Sequence, residues 1–443
     1  MVTALPTRRD RAGRWYLPLT DGVKTAAPPA PGRTPVRGAE PLAPAATTSG
    51  TRERLIALDV FRGMTVAGML LVNNPGDWAH IFPPLQHAPW HGWTPTDLIF
   101  PFFLFIVGVT AHISLSQRRA RGDDDLAIVR QVLRRGALIF LFGLFLSWFP
   151  GYMWGPIASL PDASFADRVL YRLEHLRIMG VLQRIAVAYV IGALLTLRGS
   201  WQRHLVILIS LLLGYWALMT LVTVPDRGLP GWQLLDQPEA VLSAWFDRTV
   251  LTSNHLWVSA KTWDPEGLLG CLPAAGSMML GQLTGRWLDS RKPLGERLNG
   301  MFAAGALLLV AGLIWHWSFP INKSLWTSSY VVFTGGMALM TLATCSWLID
   351  VQGFRRWTTF FVIYGTNPMI AFLGSGLLAR LTVTLWKVET PNGQMSVQGL
   401  IYRSVFAPML EPRIASLGYA VTFVLLWFVI LWALWRRRIF LKV

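Results

Sequence analysis

From Leu55 to the C-terminus, apolar residues occur in long blocks that are separated by polar segments. The blocks are about 18–25 residues long, the length that an α-helix needs to cross a hydrocarbon core of roughly 30 Å. They lie near 56–75, 96–116, 133–150, 178–197, 204–224, 267–286, 299–317, 326–349, 357–382 and 415–435. The pattern predicts an all-α polytopic membrane protein with about ten transmembrane helices.

Basic residues indicate how these helices are oriented. If the N-terminus lies inside, the inner loops hold eighteen Lys and Arg residues, whereas the longer outer loops hold ten. Short cytoplasmic loops collect Lys and Arg, so we expect both termini inside. Residues 1–52 are rich in Pro, Ala, Thr, Gly and Arg, which predicts a disordered basic cytoplasmic tail before a single transmembrane domain at 53–443.

Composition narrows the class of protein. Hydrophobic residues make up 53% of the chain and charged residues 14%, against about 25% charged residues in soluble domains. A soluble enzyme is excluded, and a nucleic-acid partner is disfavoured despite the net charge of +16, because little soluble surface is left to bind one. The two cysteines, Cys271 and Cys345, lie in apolar blocks, which disfavours disulfides and a cysteine metal site.

Ionisable residues inside membrane helices are costly and therefore candidates for function. Asp59 and Arg62 lie three residues apart in the first block and share a helix face. They either form an ion pair near the inner interface or contact an anionic ligand. Arg184 follows Gln183 within the fourth block and needs a partner or a ligand.

The first block ends at Asn73 and Asn74, which precede Pro75 and Gly76. Proline and glycine break the helix, so its last carbonyls need side-chain partners such as Asn74. The loop that follows contains three histidines, and Asp97 is expected in the first turn of the next helix, where a carboxylate is favoured. The histidines are His80, His87 and His91.

An imidazole that is held by a carboxylate can act as a general base or as a nucleophile. The alternative is a purely structural role, in which the histidines are ordinary loop residues and the aspartate caps a helix. Zinc binding is a third alternative, but the histidine spacings of seven and four residues lie in a loop that prolines interrupt.

Several ordered motifs resemble the transmembrane acetyltransferases typified by lysosomal heparan-α-glucosaminide N-acetyltransferase and its bacterial relatives. The resemblance covers about residues 54–435. It rests on the segments Leu58-Asp59-Val60-Phe61-Arg62-Gly63, Leu71-Val72-Asn73, His87-Ala88-Pro89-Trp90-His91-Gly92, Asp97-Leu98-Ile99-Phe100-Pro101-Phe102, Arg177-Ile178-Met179-Gly180-Val181-Leu182-Gln183-Arg184, Asp264-Pro265-Glu266-Gly267, Asn322-Lys323-Ser324-Leu325-Trp326 and Tyr364-Gly365-Thr366-Asn367-Pro368.

The resemblance implies transfer of an acetyl group from cytosolic acetyl-CoA to the amine of a terminal glucosamine across the membrane. It selects His87 over His91 as the catalytic histidine, because His91 falls where the family has Asn. It places the family's asparagine at Asn73, and the longer gap to the histidine keeps Asn74 as an alternative. It also suggests a homodimer.

Amide formation from a thioester needs a proton acceptor and stabilisation of an oxyanion. We expect His87 to be the acceptor, Asn73 or Asn74 the oxyanion donor, and Asp97 the group that orients the imidazole. Direct attack by the amine and transient acetylation of His87 both satisfy this scheme, and direct attack is preferred because one site then serves both substrates.

The remaining expectations concern binding. The predicted coenzyme-binding residues are Arg184, Gln183, Arg62, Asp59 and Asn367, and the nucleotide end of coenzyme A is expected near basic inner loops that include Arg118, Arg119, Arg134 and Arg135. The predicted acceptor-binding residues are Asn254, His255, Trp257 and Glu266, although outer tryptophans also form interfacial belts.

Together with the membrane pattern, this resemblance implies a multi-pass acetyltransferase of a bacterial inner membrane, with acetyl-CoA as co-substrate, an amino-sugar acceptor and no metal. O-acylation of an envelope glycan and sugar transport by a permease are the alternatives.

Overall fold

The computed structural model describes residues 8–9, 15–16, 56–149, 157, 160, 162–391 and 393–441. The chain divides into two units, Met1–Glu53 and Arg54–Val443. In the first unit, strands β1 (Arg8–Arg9) and β2 (Trp15–Tyr16) pair in antiparallel fashion. The rest of the predicted basic tail lies outside the described residues, so its disorder stays a prediction.

The described part of the second unit is mainly helical, and its fourteen α-helices follow one another along the chain. They are α1 (Ile56–Asn73), α2 (Ile99–Ala120), α3 (Asp125–Trp148), α4 (Phe165–Glu174), α5 (Val181–Leu195), α6 (Trp201–Leu221), α7 (Leu242–Leu251), α8 (Cys271–Leu288), α9 (Leu294–His316), α10 (Ser328–Ser346), α11 (Thr358–Thr366), α12 (Pro368–Arg380), α13 (Val397–Ile401) and α14 (Pro412–Arg436).

Short elements extend or connect these helices. A 3₁₀ turn, Pro95–Leu98, runs directly into α2, and π-helical turns continue α10 and α12. The other short helices are Pro83–Leu85, Gly231–Gln233, Ser253–His255 and Tyr402–Phe406. Two hairpins complete the unit: β3 (Thr223–Val224) pairs with β4 (Leu229–Pro230), and β5 (Lys387–Thr390) pairs with β6 (Gly393–Ser396).

Among the described residues, seven helical segments are long and apolar enough to cross a membrane. They are Ile56–Asn73, Pro95–Ala120, Trp201–Leu221, Leu294–His316, Ser328–Val351, Pro368–Leu385 and Pro412–Arg436. This confirms an all-α polytopic membrane protein. The other three predicted spans correspond to α3, α5 and α8; α5 has only 15 residues and covers about 22 Å. The count of ten and the inward-facing termini stay predictions.

The ninth predicted block is interrupted, as expected at its Asn-Pro step. Asn367 separates α11 from α12, and Pro368 is the first residue of α12, where the missing N–H of proline costs nothing. The amide of Asn367 donates to the carbonyl of Ile439 at 3.0 Å and accepts from the N–H of Leu441 at 3.2 Å. The break in the helix therefore holds the C-terminal segment.

A close helix contact that bears on function lies between α2 and α8. A Cβ on Gly108 would lie 2.0 Å from the carbonyl oxygen of Met278, and a Cβ on Gly281 would lie 2.0 Å from that of Phe105. Only glycine permits such close backbones at both positions. This contact fixes α2, which directly follows the turn that contains Asp97 and has Arg118 and Arg119 in its last turn.

Candidate active site

A cavity of about 410 Å³ lies where α1 ends and the segment before α2 begins. Loops from three other parts of the chain close it, so residues far apart in sequence meet there. Its polar lining residues are Asn73, His87, Thr96, Asp97, Arg177, Glu266, Lys323 and Ser324, and its aromatic lining residues are Trp90, Phe100, Trp257, Trp263 and Phe372.

His87 and Asp97 are in direct contact. His87 Nδ1 lies 2.7 Å from Asp97 Oδ1, and the imidazole is 48% exposed whereas the carboxylate is 1% exposed. Because an ionised carboxylate only accepts hydrogen bonds, the proton belongs on Nδ1, and Nε2 carries the lone pair. The contact thus prepares His87 to accept a proton in the cavity.

Local sequence explains why Asp97 is held so firmly. Thr94 is the N-cap of the turn at Pro95–Leu98, and Asp97 closes a capping box at the third position of that turn. Asp97 Oδ2 accepts from the backbone N–H groups of Thr94 and Ala88, both at 3.0 Å. The predicted position of Asp97 in the first helical turn is confirmed, and its carboxylate also fixes the histidine loop.

Lys323 is the third member of this cluster. Its Nζ lies 2.9 Å from His87 Nδ1, 3.2 Å from His87 Nε2 and 3.5 Å from Asp97 Oδ1. Nearly equal distances to both ring nitrogens place the amine over the imidazole rather than at one edge of it. Burial lowers the pKa of Lys323, while Asp97 and Glu266 act in the opposite direction.

The loop before α10 positions Lys323. Asn322 Oδ1 accepts from the backbone N–H of Leu325 at 2.9 Å, and the backbone N–H of Asn322 donates to Thr327 Oγ1 at 3.1 Å. Trp326 adopts a φ of +53°, which bulky residues rarely adopt, and its indole donates to Ser277 Oγ at 3.0 Å. A fully buried tryptophan therefore anchors a tight turn that presents the lysine to the cavity.

The two predicted asparagines differ in their surroundings. Asn74 Nδ2 donates to the carbonyl of Leu70 at 2.8 Å, which is the capping role expected after the helix break. Asn73 lines the His87 cavity and also a second cavity beside it. The geometry therefore favours Asn73 as the amide that can face a reacting group.

Three tryptophans form an aromatic wall in the cavity. The ring centres of Trp90 and Trp263 are 5.2 Å apart and those of Trp257 and Trp263 are 5.6 Å apart, with nearly perpendicular ring planes. Glu266 stands nearby and accepts from Arg177 at 2.5 Å, while Arg177 also binds Asp264 through two hydrogen bonds. The two carboxylates raise the pKa of Arg177 against the opposing effect of burial.

Asn254 and His255 lie in the short helix Ser253–His255, outside this wall. Asn254 is exposed. His255 Nδ1 lies 2.7 Å from the carbonyl of Leu176, and the N–H of Ile178 donates to the carbonyl of His255. His255 therefore ties the outer loop to the segment that leads into α5, whereas Trp257 and Glu266 reach the cavity.

The second cavity measures about 270 Å³ and lies between α1, α3, α5 and α12. It shares Met69, Asn73, Arg177, Val181 and Phe372 with the His87 cavity. Gln183, 1% exposed, lines this space, and its Nε2 has no hydrogen-bond partner among the described residues. A buried N–H donor without a protein partner is suited to a ligand that carries hydrogen-bond acceptors.

Arg184 points away from Gln183 and is 1% exposed. Its Nη2 donates to the carbonyl of Gly267 at 3.2 Å, and its guanidinium lies 5.2 Å from the ring centre of Trp326. Arg184 thus contacts the two loops that carry Glu266 and Lys323, while its Nε has no hydrogen-bond partner among the described residues.

Asp59 and Arg62 form the ion pair that their spacing allows, at 2.6 Å. Arg62 lies eleven residues before Asn73 on α1, about 16 Å along the helix axis. The pair and the buried Asn367 therefore lie in the half of the unit away from His87.

The three loop histidines bind different carboxylates: His80 contacts Asp77 at 2.6 Å, His87 contacts Asp97, and His91 contacts Asp236 at 2.9 Å. Within the described residues, no group of three His, Cys, Asp or Glu residues is arranged to hold a metal ion.

Sequence reasoning missed Lys323, Trp90 and Trp263 as site residues. Lys323 lies 236 residues from His87, so no local spacing indicates their contact. The signal available was the Asn322–Trp326 motif, which marks the segment without assigning its lysine a role.

Comparisons with known proteins identify relatives of this chain. A family model described as "Heparan-alpha-glucosaminide N-acetyltransferase, catalytic" matches residues 54–294. Heparan-alpha-glucosaminide N-acetyltransferase from Mus musculus is 26% identical over 449 residues, which cover 90% of this chain and 62% of that protein. The protein of the same name from Homo sapiens is 26% identical over 439 residues, which cover 88% and 60%. The chain spans about three fifths of the length of these relatives.

Proposed function

Because the chain belongs to the heparan-alpha-glucosaminide N-acetyltransferase family, a family of transmembrane acetyltransferases, we propose that it transfers an acetyl group from acetyl-CoA to the amine of glucosamine or a glucosamine-ended saccharide. The observation that carries this proposal is the contact of His87 with buried Asp97 and with Lys323 at the wall of a cavity. In this cluster His87 supplies a base, and Lys323 supplies a positive charge next to it.

In the proposed reaction, the neutral amine of the acceptor attacks the thioester carbonyl of acetyl-CoA. The new C–N bond forms as His87 Nε2 takes a proton from the amine. When the tetrahedral intermediate collapses, the C–S bond breaks, and the sulfur leaves as a thiolate that receives the proton from His87. Asp97 holds the Nδ1 proton throughout, so the same imidazole serves as base and then as acid.

The intermediate carries a negative oxygen that needs donors. The Asn73 amide lines the cavity, and the Lys323 amine lies within 3.2 Å of both imidazole nitrogens, next to where the acyl carbon must sit. Fixed donors at this position stabilise the developing charge. We assign oxyanion stabilisation to these two side chains.

The aromatic wall supports a saccharide acceptor. Trp257 and Trp263 offer large apolar faces on which a pyranose ring can stack, and Glu266 offers a carboxylate for its hydroxyls. Arg177 holds Glu266 in place, so this carboxylate is preorganised. Asn254 and His255, also expected to bind the acceptor, support the loop that carries Trp257.

The adjoining cavity supports a place for the acyl-pantetheine arm. It shares a wall with the reacting site, and Gln183 presents an unpartnered amide nitrogen to it, which fits an amide carbonyl of the arm. Arg184 supports the walls of the reacting site in this scheme, and Asp59, Arg62 and Asn367 act at the inner half of the bundle. The direction of transfer, from the cytosolic to the periplasmic side of a bacterial inner membrane, and a homodimeric state belong to the same proposal.

Reconstituted vesicles test the reaction and its direction together. Acetyl-CoA labelled in the acetyl group is sealed on the side of the N- and C-termini, and glucosamine is added to the other side, with protein-free vesicles as the control. We expect labelled N-acetylglucosamine to accumulate with the acceptor while coenzyme A appears with the donor. Passage of unmodified sugar would contradict the proposal in favour of a permease, and label on an oxygen would favour an O-acyltransferase.

A second measurement separates the two routes. Protein incubated with labelled acetyl-CoA in the absence of acceptor is denatured and assayed for bound label. We expect none, because both substrates bind before the amine attacks. Stoichiometric label on His87 would replace direct attack with an acetyl-enzyme route.

A further inference from the structure

A third cavity, of about 260 Å³, lies between the ends of α2, α5, α6 and α8 that face away from His87. Pro95–Ala120 forms one helical segment, and Arg119 follows Asp97 by 22 residues, so the two lie about 33 Å apart along it. This cavity therefore sits near the predicted inner face, separate from the site of acetyl transfer.

The lining of this inner cavity is polar and basic. Two guanidinium groups, from Arg119 and Arg286, and two imidazoles, from His112 and His204, converge on it together with Ser116, Thr196 and Gln282. Arg119 lies 3.7 Å from Asp125, and Arg286 donates one bond, at 3.2 Å, to the carbonyl of Gly199. A guanidinium has five N–H donors, so each arginine keeps donors for a ligand.

Gln282 supplies an independent reason to expect a ligand. Its side chain is 4% exposed, and its Oε1 has no hydrogen-bond partner among the described residues. A half turn of the amide replaces this acceptor by an NH₂ donor, which an anion in the cavity would satisfy. Buried polar groups of this kind are uncommon without a partner, so the amide indicates that something polar occupies the space.

We propose that the inner cavity is a binding site for a phosphate group. Arginine pairs bind phosphate oxygens in a bidentate manner, and the neighbouring amide adds a further donor. Arg134, another arginine of the predicted inner face, is exposed and does not line this cavity. Arg119 and Arg286, in contrast, meet at a cavity with buried polar walls. The phosphate is carried either by coenzyme A, in which case the inference rests on the proposed function, or by an anionic phospholipid.

Binding is measured on the full chain in an uncharged detergent, as the shift in melting temperature with inorganic phosphate against chloride at equal ionic strength. Phosphate should stabilise the native protein. We expect Arg119→Gln and Arg286→Gln to weaken the apparent affinity at least about tenfold, and Arg134→Gln to leave it unchanged. Gln282→Leu removes the amide without changing any charge and should also weaken binding. The absence of a shift in the wild type, or equal affinity in all five proteins, would overturn the site.

Competition identifies the source of the phosphate. If coenzyme A displaces phosphate more strongly than dephospho-coenzyme A does, the phosphate belongs to the coenzyme. If the protein is stabilised in phosphatidylcholine vesicles only when they also contain phosphatidic acid, the phosphate belongs to the lipid. Failure of both competitors would contradict a physiological phosphate site. Phosphate binding by a chain that transfers no acetyl group would refute the proposed function and leave this site standing, so the two inferences fail separately.

Discussion

Two histidine–aspartate pairs in the same loop have nearly the same length and different environments. His80 contacts Asp77 at 2.6 Å and His87 contacts Asp97 at 2.7 Å. The Asp77 side chain is 34% exposed, whereas that of Asp97 is 1% exposed and also binds two backbone N–H groups. The distance between the partners therefore does not distinguish the pairs, and burial of the carboxylate does.

Their neighbours also differ. The backbone of Asp77 exchanges hydrogen bonds with Ser416, so the segment that carries this pair is attached to α14. His80 lowers the pKa of Asp77 through their hydrogen bond. Lys323 and the aromatic wall surround His87 instead. The His80–Asp77 pair thus lies in a segment attached to α14, whereas the His87–Asp97 pair lies at the cavity beside a lysine and aromatic side chains.

The largest difference should come from the two carboxylates. Asp97→Asn removes the acceptor that holds the Nδ1 proton of His87 and should reduce kcat by about 10³-fold. The matched change Asp77→Asn should alter kcat by less than about twofold, as expected for a partly exposed pair. Initial rates of acetyl transfer, with melting temperatures to verify folding, measure both. Equal losses would remove the distinction between the pairs.

Lys323→Gln should give the next largest effect. Loss of the ammonium over the imidazole removes an oxyanion donor, and kcat should fall by about 10²-fold. Lys387→Gln, in the exposed hairpin β5–β6, is the control. An unchanged kcat in folded Lys323→Gln would assign Lys323 a structural role only.

A smaller effect is expected from the aromatic wall. Trp257→Ala should raise KM for the sugar about tenfold with little change in KM for acetyl-CoA, because it removes a stacking face. Trp232→Ala removes a tryptophan of the same outer region that is 58% exposed, and should leave both constants unchanged. A rise confined to the KM of acetyl-CoA would place the donor at this wall.

The smallest effect concerns a third carboxylate. Asp247 is 1% exposed, its Oδ1 accepts from the N–H of Leu268 at 2.8 Å, and burial raises its pKa to about 7. The folded pKa exceeds the ordinary value of about 3.9, so the folded state binds the proton more tightly and stability falls as pH rises between these values.

The Asp247→Asn side chain is neutral at every pH, so the stability of this variant should lack the pH dependence that Asp247 contributes. Between about pH 5 and about pH 8, the melting temperature of the wild type should decrease by a few degrees relative to that of the variant. Parallel pH dependences would show that Asp247 is not held in its neutral form.

Local contacts were predictable from the sequence, and distant ones were not. The Asp59–Arg62 pair, the capping role of Asn74 and the position of Asp97 follow from helix spacing and helix ends. Lys323 joins His87 only because α9 and α10 return the chain to the cavity.

The same limit applies to the spans and the binding loops. Hydropathy located α1, α2 and α14, whereas the block at 178–197 contains a helix of only 15 residues, which is short for a span. Trp257 and Glu266 were identified, whereas their neighbours Trp90 and Trp263 depend on contacts between loops 145 or more residues apart.

The most direct test compares acetyl transfer by His87→Ala and His80→Ala in the same vesicles. Both variants remove an imidazole that contacts an aspartate, and only one of them faces the cavity. If His87 is the proton acceptor, His87→Ala should lose about 10³- to 10⁴-fold in rate while it remains folded, and His80→Ala should retain wild-type turnover. Full activity of folded His87→Ala would contradict the central role of His87.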